Sequence, residues 1–256
     1  MPRGHVKNST RIQAGWFPEI GAGGFTSLDG TIEFYTRINA LLRPTMAVLD
    51  FGAGRGAALT DGDCDHKKKL MTLRGKVAKV VACDIDDAVL SNSGADEAVV
   101  VQTDARLPFP DASFDLIVAD FVFEHIAGPA VACAELRRIL KRGGWICART
   151  PNKYCLVSLM TRAIHNSQHS RLLRWVQPKR NSIDVFPTVF KLNSKRDIVR
   201  WFGSDAFDDF TYRYEAEPSY FFDNRAVFAF MLLINRLLPR AMKSGLFVFL
   251  RRKMGP

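Results

Sequence analysis

The amino-acid sequence predicts an α/β fold: a mostly parallel sheet wound with helices, with a helical insertion after strand five. Three observations lead there. An apolar run enters a glycine-rich turn at residues 48–56, apolar runs ending in an acid recur downstream between helix-length segments, and two strand-like runs close the chain. At 256 residues, with 47% apolar and 24% charged side chains, the chain has enough material for one good core and an appendage. Residues 1–44 read as a cap segment and helix. Residues 45–256 read as the main domain, with an insertion over about 150–205.

Residues 1–24 are polar and glycine-bearing, with Trp16, Phe17 and Ile20 as anchors, and residues 1–10 hold no apolar signal core. The stretch from Asp29 to Arg43 reads as a helix: Asp29 is a cap, Ile32, Tyr35, Ile38 and Leu42 share a stripe, and Pro44 ends it. Thr45 to Leu49 then forms a strand that reaches Asp50, after which Gly52, Gly54 and Gly56 alternate with Ala53 and Arg55. Glycine suits this turn because the chain reverses sharply and a ligand must lie against bare backbone. The G-x-G-x-x-G/A pattern is met by Gly52, Gly54 and Ala57, so a dinucleotide site stays open here. Asp61 to Lys69 reads as a solvated loop. Its alternating acids fail as a calcium loop, because His66 stands where glycine is needed, and Cys64 with His66 lacks two further ligands for zinc.

The second strand, Val77 to Cys83, ends in Asp84, and Asp86 and Asp87 begin the next helix. A carboxylate at that strand tip is placed to accept from ribose hydroxyls. Val99 to Gln102 leads to Thr103, Asp104 and Ala105, and a fourth strand, Ser113 to Asp120, again ends in an acid. A helix from Pro129 to Leu140 and the turn Arg142-Gly143-Gly144 deliver a fifth strand, Trp145 to Arg149.

This ordered set, from Val48 to Asn152, resembles the class I S-adenosylmethionine (SAM)-dependent methyltransferases, specifically the methyltransferase-11 family of ubiquinone/menaquinone methylase-like enzymes. The resemblance implies a doubly wound, Rossmann-like class I sheet of seven mostly parallel strands, the seventh antiparallel, with SAM as cofactor. It implies that Asp50 and the turn Gly52-Ala53-Gly54 hold the amino-acid end of SAM, that Asp84 takes the ribose with Ile85 beside the adenine, and that Asp104 accepts from the adenine amino group with Ala105 packed nearby. Asp120 and Phe121 would lie under the methionine portion. The dinucleotide reading weakens, since Asp84 lies about thirty residues past the turn rather than about twenty. In such relatives a segment like the first helix closes over the cofactor, which would bring Tyr35 or Glu33 to it; both also suit plain packing.

Methyl transfer from a sulfonium is an in-line displacement governed by positioning and desolvation. An alcohol or phenol acceptor also loses a proton, and a histidine near neutral pKa is the natural base. His125, in the turn Phe121 to Ile126, is the candidate catalytic residue, with a buried structural role as the alternative; His165 and His169 are weaker candidates. After strand four the chain reads Asp120-Phe121-Val122-Phe123, not the D-P-P-Y type used on planar nitrogens, and no proline-cysteine pair supports attack on cytosine. O-methylation is the reading that remains.

Charge points to the acceptor. Residues 1–135 carry 13 basic and 18 acidic side chains, whereas residues 136–183 carry 11 basic and none acidic, and residues 224–256 carry 7 and none. The excess behind the net charge of +10 lies beyond the cofactor motifs, which favours an anionic small-molecule or glycan-type acceptor, a membrane headgroup surface, or RNA; a merely solvated face is the plain alternative. Within the insertion, a helix from Leu156 to His165 precedes Arg171, Arg174, Lys179 and Arg180, and Phe190 to Ser194 leads into a short helix ending near Phe202. This region looks like a bacterial subgroup associated with polysaccharide or other envelope-glycan synthesis.

Phe210 to Tyr214 and Leu246 to Leu250 are the expected strands six and seven. Between them Ala226 to Ile234 is continuously apolar, too short to span a bilayer but flanked by Arg225, Arg236, Arg240 and Lys243, so residues 224–253 suit peripheral membrane contact as well as packing on the sheet. The five cysteines form no C-x-x-C pair and are expected as reduced thiols of a cytoplasmic protein, with the inner membrane face as a further location. The expected function is SAM-dependent O-methylation. RNA or tRNA methylation and a non-catalytic interaction protein on the same fold stand beside it.

Overall fold

The computed structural model describes residues 8–60, 64–163, 187–218 and 221–255. Eight strands form one sheet: β1 (Ala47–Phe51), β2 (Lys79–Asp84), β3 (Glu97–Val100), β4 (Phe114–Asp120), β5 (Leu140–Pro151), β6 (Phe207–Asp209), β7 (Tyr212–Tyr214) and β8 (Gly245–Arg252). Their order is β3-β2-β1-β4-β5-β8-β6, with β7 also on β8. The first five pair in parallel, and β8 runs antiparallel to β5, β6 and β7. This is the doubly wound, Rossmann-like sheet expected from the sequence.

Where seven strands are expected the sheet has eight, because the sixth is interrupted. The β6 and β7 ladders on β8 keep one common register, Asp209 opposite Leu250 and Tyr212 opposite Phe247. Between them the Asp209 side chain accepts from the Thr211 backbone N–H at 2.7 Å, so a side chain replaces a ladder partner at that point.

Side chains that alternate along each strand feed two separate cores. Leu49, Ile117, Ile146 and Val248 pack under α5 (Pro129–Ile139) and α7 (Lys195–Phe202). Val48, Leu116, Cys147 and Phe249 pack under α2 (Gly30–Leu41). Helix α2 starts where expected: the Asp29 carboxylate accepts from the N–H groups of Thr31 and Ile32. It buries Phe34, Tyr35 and Ile38.

The expected solvated loop at residues 61–69 is a helix in its latter half. Residues 61–63 lie outside the described residues, but α4 (Asp65–Met71) follows the short α3 (Ala57–Thr60) and completes the first crossover. Asp65 in its first turn and Lys68 and Lys69 in its last complement the helix dipole, while Leu70 and Met71 pack against the second core. Lys67 pairs with the buried Asp29 and so ties α4 to the cap of α2. The expected helix after β2 is only a 3-10 turn, Asp87–Ser91, capped by Asp86. Strand β5 begins earlier than expected, at Leu140, by way of a bulge in which Gly143 takes φ +74°.

After β5 come α6 (Leu156–Ala163), then α7, and between β7 and β8 lies α8 (Arg225–Leu237). Arg171, Arg174, Lys179 and Arg180, with His165 and His169, lie outside the described residues. All five cysteines are free thiols. Burial pushes Cys83 and Cys133 up to about 12 and Cys147 higher still, so none of the three is a thiolate at neutral pH.

Candidate active site

Parallel pairing delivers the expected acids to one rim. Asp50, Asp84 and Asp120 stand at the C-terminal ends of β1, β2 and β4, and Arg149 stands opposite Asp120 on β5. Open α/β sheets bind their ligands in this crevice.

The glycine turn is built on β2. The N–H groups of Gly52 and Ala53 both donate to the Cys83 carbonyl, at 2.7 and 3.1 Å, and the Gly54 N–H donates to Asp84 Oδ2 at 2.8 Å. Asp84 Oδ1 accepts from the Asp86 N–H at 3.0 Å, which fixes the carboxylate plane while each oxygen keeps a further lone pair. Gly52 (φ +73°) is required by crowding, since a Cβ there would come within 2.4 Å of Val122. Gly54 (φ +50°) is different: a Cβ there meets nothing within 4 Å, so it faces open space. Asn92, buried and unremarked in the sequence, holds the turn from behind; its Nδ2 donates to the carbonyls of Gly54 (3.1 Å) and Ala53 (3.4 Å), and its Oδ1 accepts from the Gly94 N–H.

The three acids repel one another. Burial, and after it the charges of Asp120 and Asp84, push the Asp50 carboxyl up to about 7. Asp120 has a counter-ion in the buried Arg149, which forks onto both its oxygens, donates to Thr31 Oγ1 at 3.0 Å and lies over the Phe121 ring at 4.7 Å. The Tyr35 hydroxyl also donates to Asp120, at 3.1 Å, and burial together with the Asp120 charge raises its pKa well above the ordinary phenol value. Glu33 turns away to Arg37 and Tyr212.

The remaining candidates sit around this centre. Ile85 and Phe121 are about half exposed at the rim, Phe121 in a left-handed conformation. Asp104 is exposed, also left-handed, with its carboxylate against Gly128 at the start of α5; Ala105 beside it is half-buried. His125 ends a 3-10 turn. Its Nδ1 lies 2.9 Å from the Pro187 carbonyl, which can only accept, so the neutral ring carries its hydrogen on Nδ1 and its lone pair on Nε2. Nε2 is 3.9 Å from the buried Glu124 carboxylate. Glu124 accepts from Thr150, which accepts from Asn193, and the Glu124 carbonyl accepts from Val189, so this turn anchors residues 189–193 of the insertion.

A cationic ligand fits this rim. An open glycine cradle beside two carboxylates and a third that is poised near neutrality suits a molecule with an ammonium and a sulfonium. Residues 49–148 match the family model described as a methyltransferase domain, Methyltransf_11. They form a SAM-dependent methyltransferase domain.

The domain's relatives agree with that assignment. The chain is 31% identical over 119 residues to the ubiquinone/menaquinone biosynthesis C-methyltransferase UbiE of Cupriavidus metallidurans, covering 44% of this chain and 46% of that protein. The chain thus spans about half the length of the curated relatives it matches. Among solved structures, the fold resembles the YcgJ protein of Bacillus subtilis (TM-score 0.50, 16% identity, 88% of this chain and 99% of that one). It also resembles a chain of the complex between the Haloferax volcanii Trm112 methyltransferase activator and a methyltransferase (TM-score 0.53, 16% identity, 97% of each). These structures speak to the fold of the domain.

Proposed function

We propose that the protein transfers the methyl group of SAM to an oxygen of an anionic, small-molecule or glycan-type acceptor. The observation that carries the cofactor half is the open Gly54 cradle beside Asp84, in a rim where burial and the neighbouring charges of Asp120 and Asp84 push the Asp50 carboxyl up to about 7. SAM supplies an electrophilic methyl group on sulfur. Asp84 accepts from its ribose hydroxyls, with Ile85 against the adenine and Asp104, beside Ala105, accepting from the adenine amino group. Asp50 and the backbone of Gly52, Ala53 and Gly54 hold the amino-acid end. Asp120, neutralised by Arg149, and Phe121 floor the methionine portion and exclude water from it.

For the acceptor, the tautomer of His125 supports a base: with Nδ1–H engaged by Pro187, Nε2 takes the proton that an acceptor hydroxyl loses. The basic excess beyond the cofactor motifs supports an anionic acceptor. A second reading, methylation at carbon, is favoured by the C-methyltransferase activity named for the relatives. RNA is a third, favoured only by charge.

Calorimetric titration with SAM tests the cofactor; micromolar binding is expected, and a folded protein that binds none overturns the reading. Incubation with labelled SAM and fractionated extracts then tests the acceptor. Label in an anionic small-molecule or glycan fraction, as a methyl ester or ether, is the expected result. Label on carbon overturns the oxygen assignment, and label in RNA overturns the small-molecule or glycan acceptor.

A further inference from the structure

Helix α8 is apolar on the side that faces away from the protein. Its inward side holds one deeply buried residue, Phe228, wedged between Phe221 (centroids 4.7 Å apart) and Phe17 (6.3 Å). Its outward side exposes Ala226, Phe230, Leu233 and Leu237, spaced four, three and four residues apart and therefore aligned on one stripe. Phe230, Leu233 and Leu237 are 60%, 55% and 74% exposed, well above what scattered surface side chains of a globular domain need explained. Trp16, next to the Phe17 that packs under this helix, is 45% exposed.

The helix and the chain after it carry charge of one sign, the nearest acid in the sequence being Asp223, just ahead of the Asn224 cap. Arg225 precedes it, and Arg236, Arg240 and Lys243 follow, with no acidic residue from 224 to 256. A second copy laid on this stripe would bring these cations together, whereas an anionic lipid surface pairs with them and takes the apolar side chains and the indole into its headgroup boundary. At 13 residues the helix is too short to cross, and no helix among the described residues is long and apolar enough to do so.

Its place in the sheet gives the stripe a purpose. Because β8 is antiparallel, the chain arriving from α8 enters at the rim where the parallel strands end: Gly245 pairs with Pro151, two residues past Arg149. Asn152 clamps that arrival, donating to the carbonyls of Ala241 and Lys243 at 2.9 Å each. We infer that α8, with Trp16, docks the protein flat on an anionic membrane, and that the cofactor rim is thereby held beside the bilayer, where it meets an amphiphilic acceptor. The second clause rests on the methyltransferase reading; the docking does not.

Flotation of the full chain with vesicles tests it, without cofactor. Binding to phosphatidylcholine vesicles that contain phosphatidylglycerol is expected, falling about tenfold or more without the anionic lipid and again in the Arg236→Glu/Arg240→Glu variant. The triple variant Phe230→Ser/Leu233→Ser/Leu237→Ser, altered only at exposed positions, is expected to lose vesicle binding while keeping the thermal transition and SAM affinity of the parent. Equal binding with and without anionic lipid, or none, overturns the docking. So does a dimer that the triple variant abolishes, or RNA binding in place of vesicle binding. Docking without SAM binding would refute the methyltransferase reading and leave the docking standing.

Discussion

Arg149 and Asp120 face each other across the ends of β4 and β5, and the guanidinium forks onto both carboxylate oxygens while its plane lies over Phe121. Three structural units meet there, since Thr31 and Tyr35 of α2 bond to the same pair. Arg149→Met leaves a largely buried carboxylate without its cation, and a loss on the order of 3 kcal/mol is expected from denaturant titration. Arg149→Lys keeps the charge but not the fork or the ring contact, and should recover only part of it.

The two glycines of the turn should fail differently. Gly52→Ala drives a methyl group into Val122 and should lower the thermal transition sharply. Gly54→Ala finds no protein atom in its way and costs only the left-handed backbone penalty, about 1 kcal/mol. It should fold and yet bind SAM poorly. Paired thermal melts and calorimetry separate the outcomes; equal SAM affinity for Gly54→Ala and the parent would refute the cradle.

Asp50 sets a pH dependence of known sign. Its folded pKa, about 7, lies above the ordinary carboxylate value of 3.8, so the folded chain holds a proton that the unfolded chain releases. The associated stability is complete below about pH 4 and is lost as pH rises through 7. Asp50→Asn should remove that slope and raise the neutral-pH melting temperature of the free protein. SAM, bringing cations, should bind the ionised form, so affinity should rise with pH through 7 with proton release, measurable by titration in buffers of different ionisation enthalpy.

Asn92→Ala removes the bonds that hold the back of the turn and strands the Gly94 N–H. A stability loss of about 1–3 kcal/mol is expected, with weaker SAM binding at unchanged acceptor affinity.

The first, second and fourth strands were legible because each is an apolar run that ends in an acid, and those acids are the rim itself. What escaped the sequence did so for physical reasons. Helix α4 carries its signal in end charges rather than in an apolar stripe, so Asp65 to Lys69 reads as loop. At the split of the sixth strand the Asp209 carboxylate accepts from the Thr211 N–H, a bond that no pattern of residue types announces. In the sequence Arg149 marks only the end of the fifth strand, because its partners Thr31 and Asp120 lie 118 and 29 positions away. Asn92 carries no local pattern at all; only the fold brings it behind Gly54.

The long reach of the Arg149 contacts bears on how the protein is made. A chain emerging from its N-terminus lays down Asp50, then Asp84, then Asp120, and thereby gathers repelling acids before their cation has been synthesised. Closure of loops this long is slow and comes late in folding. Competence for the cofactor is therefore expected only once the fifth strand has joined the fourth and brought Arg149 to Asp120.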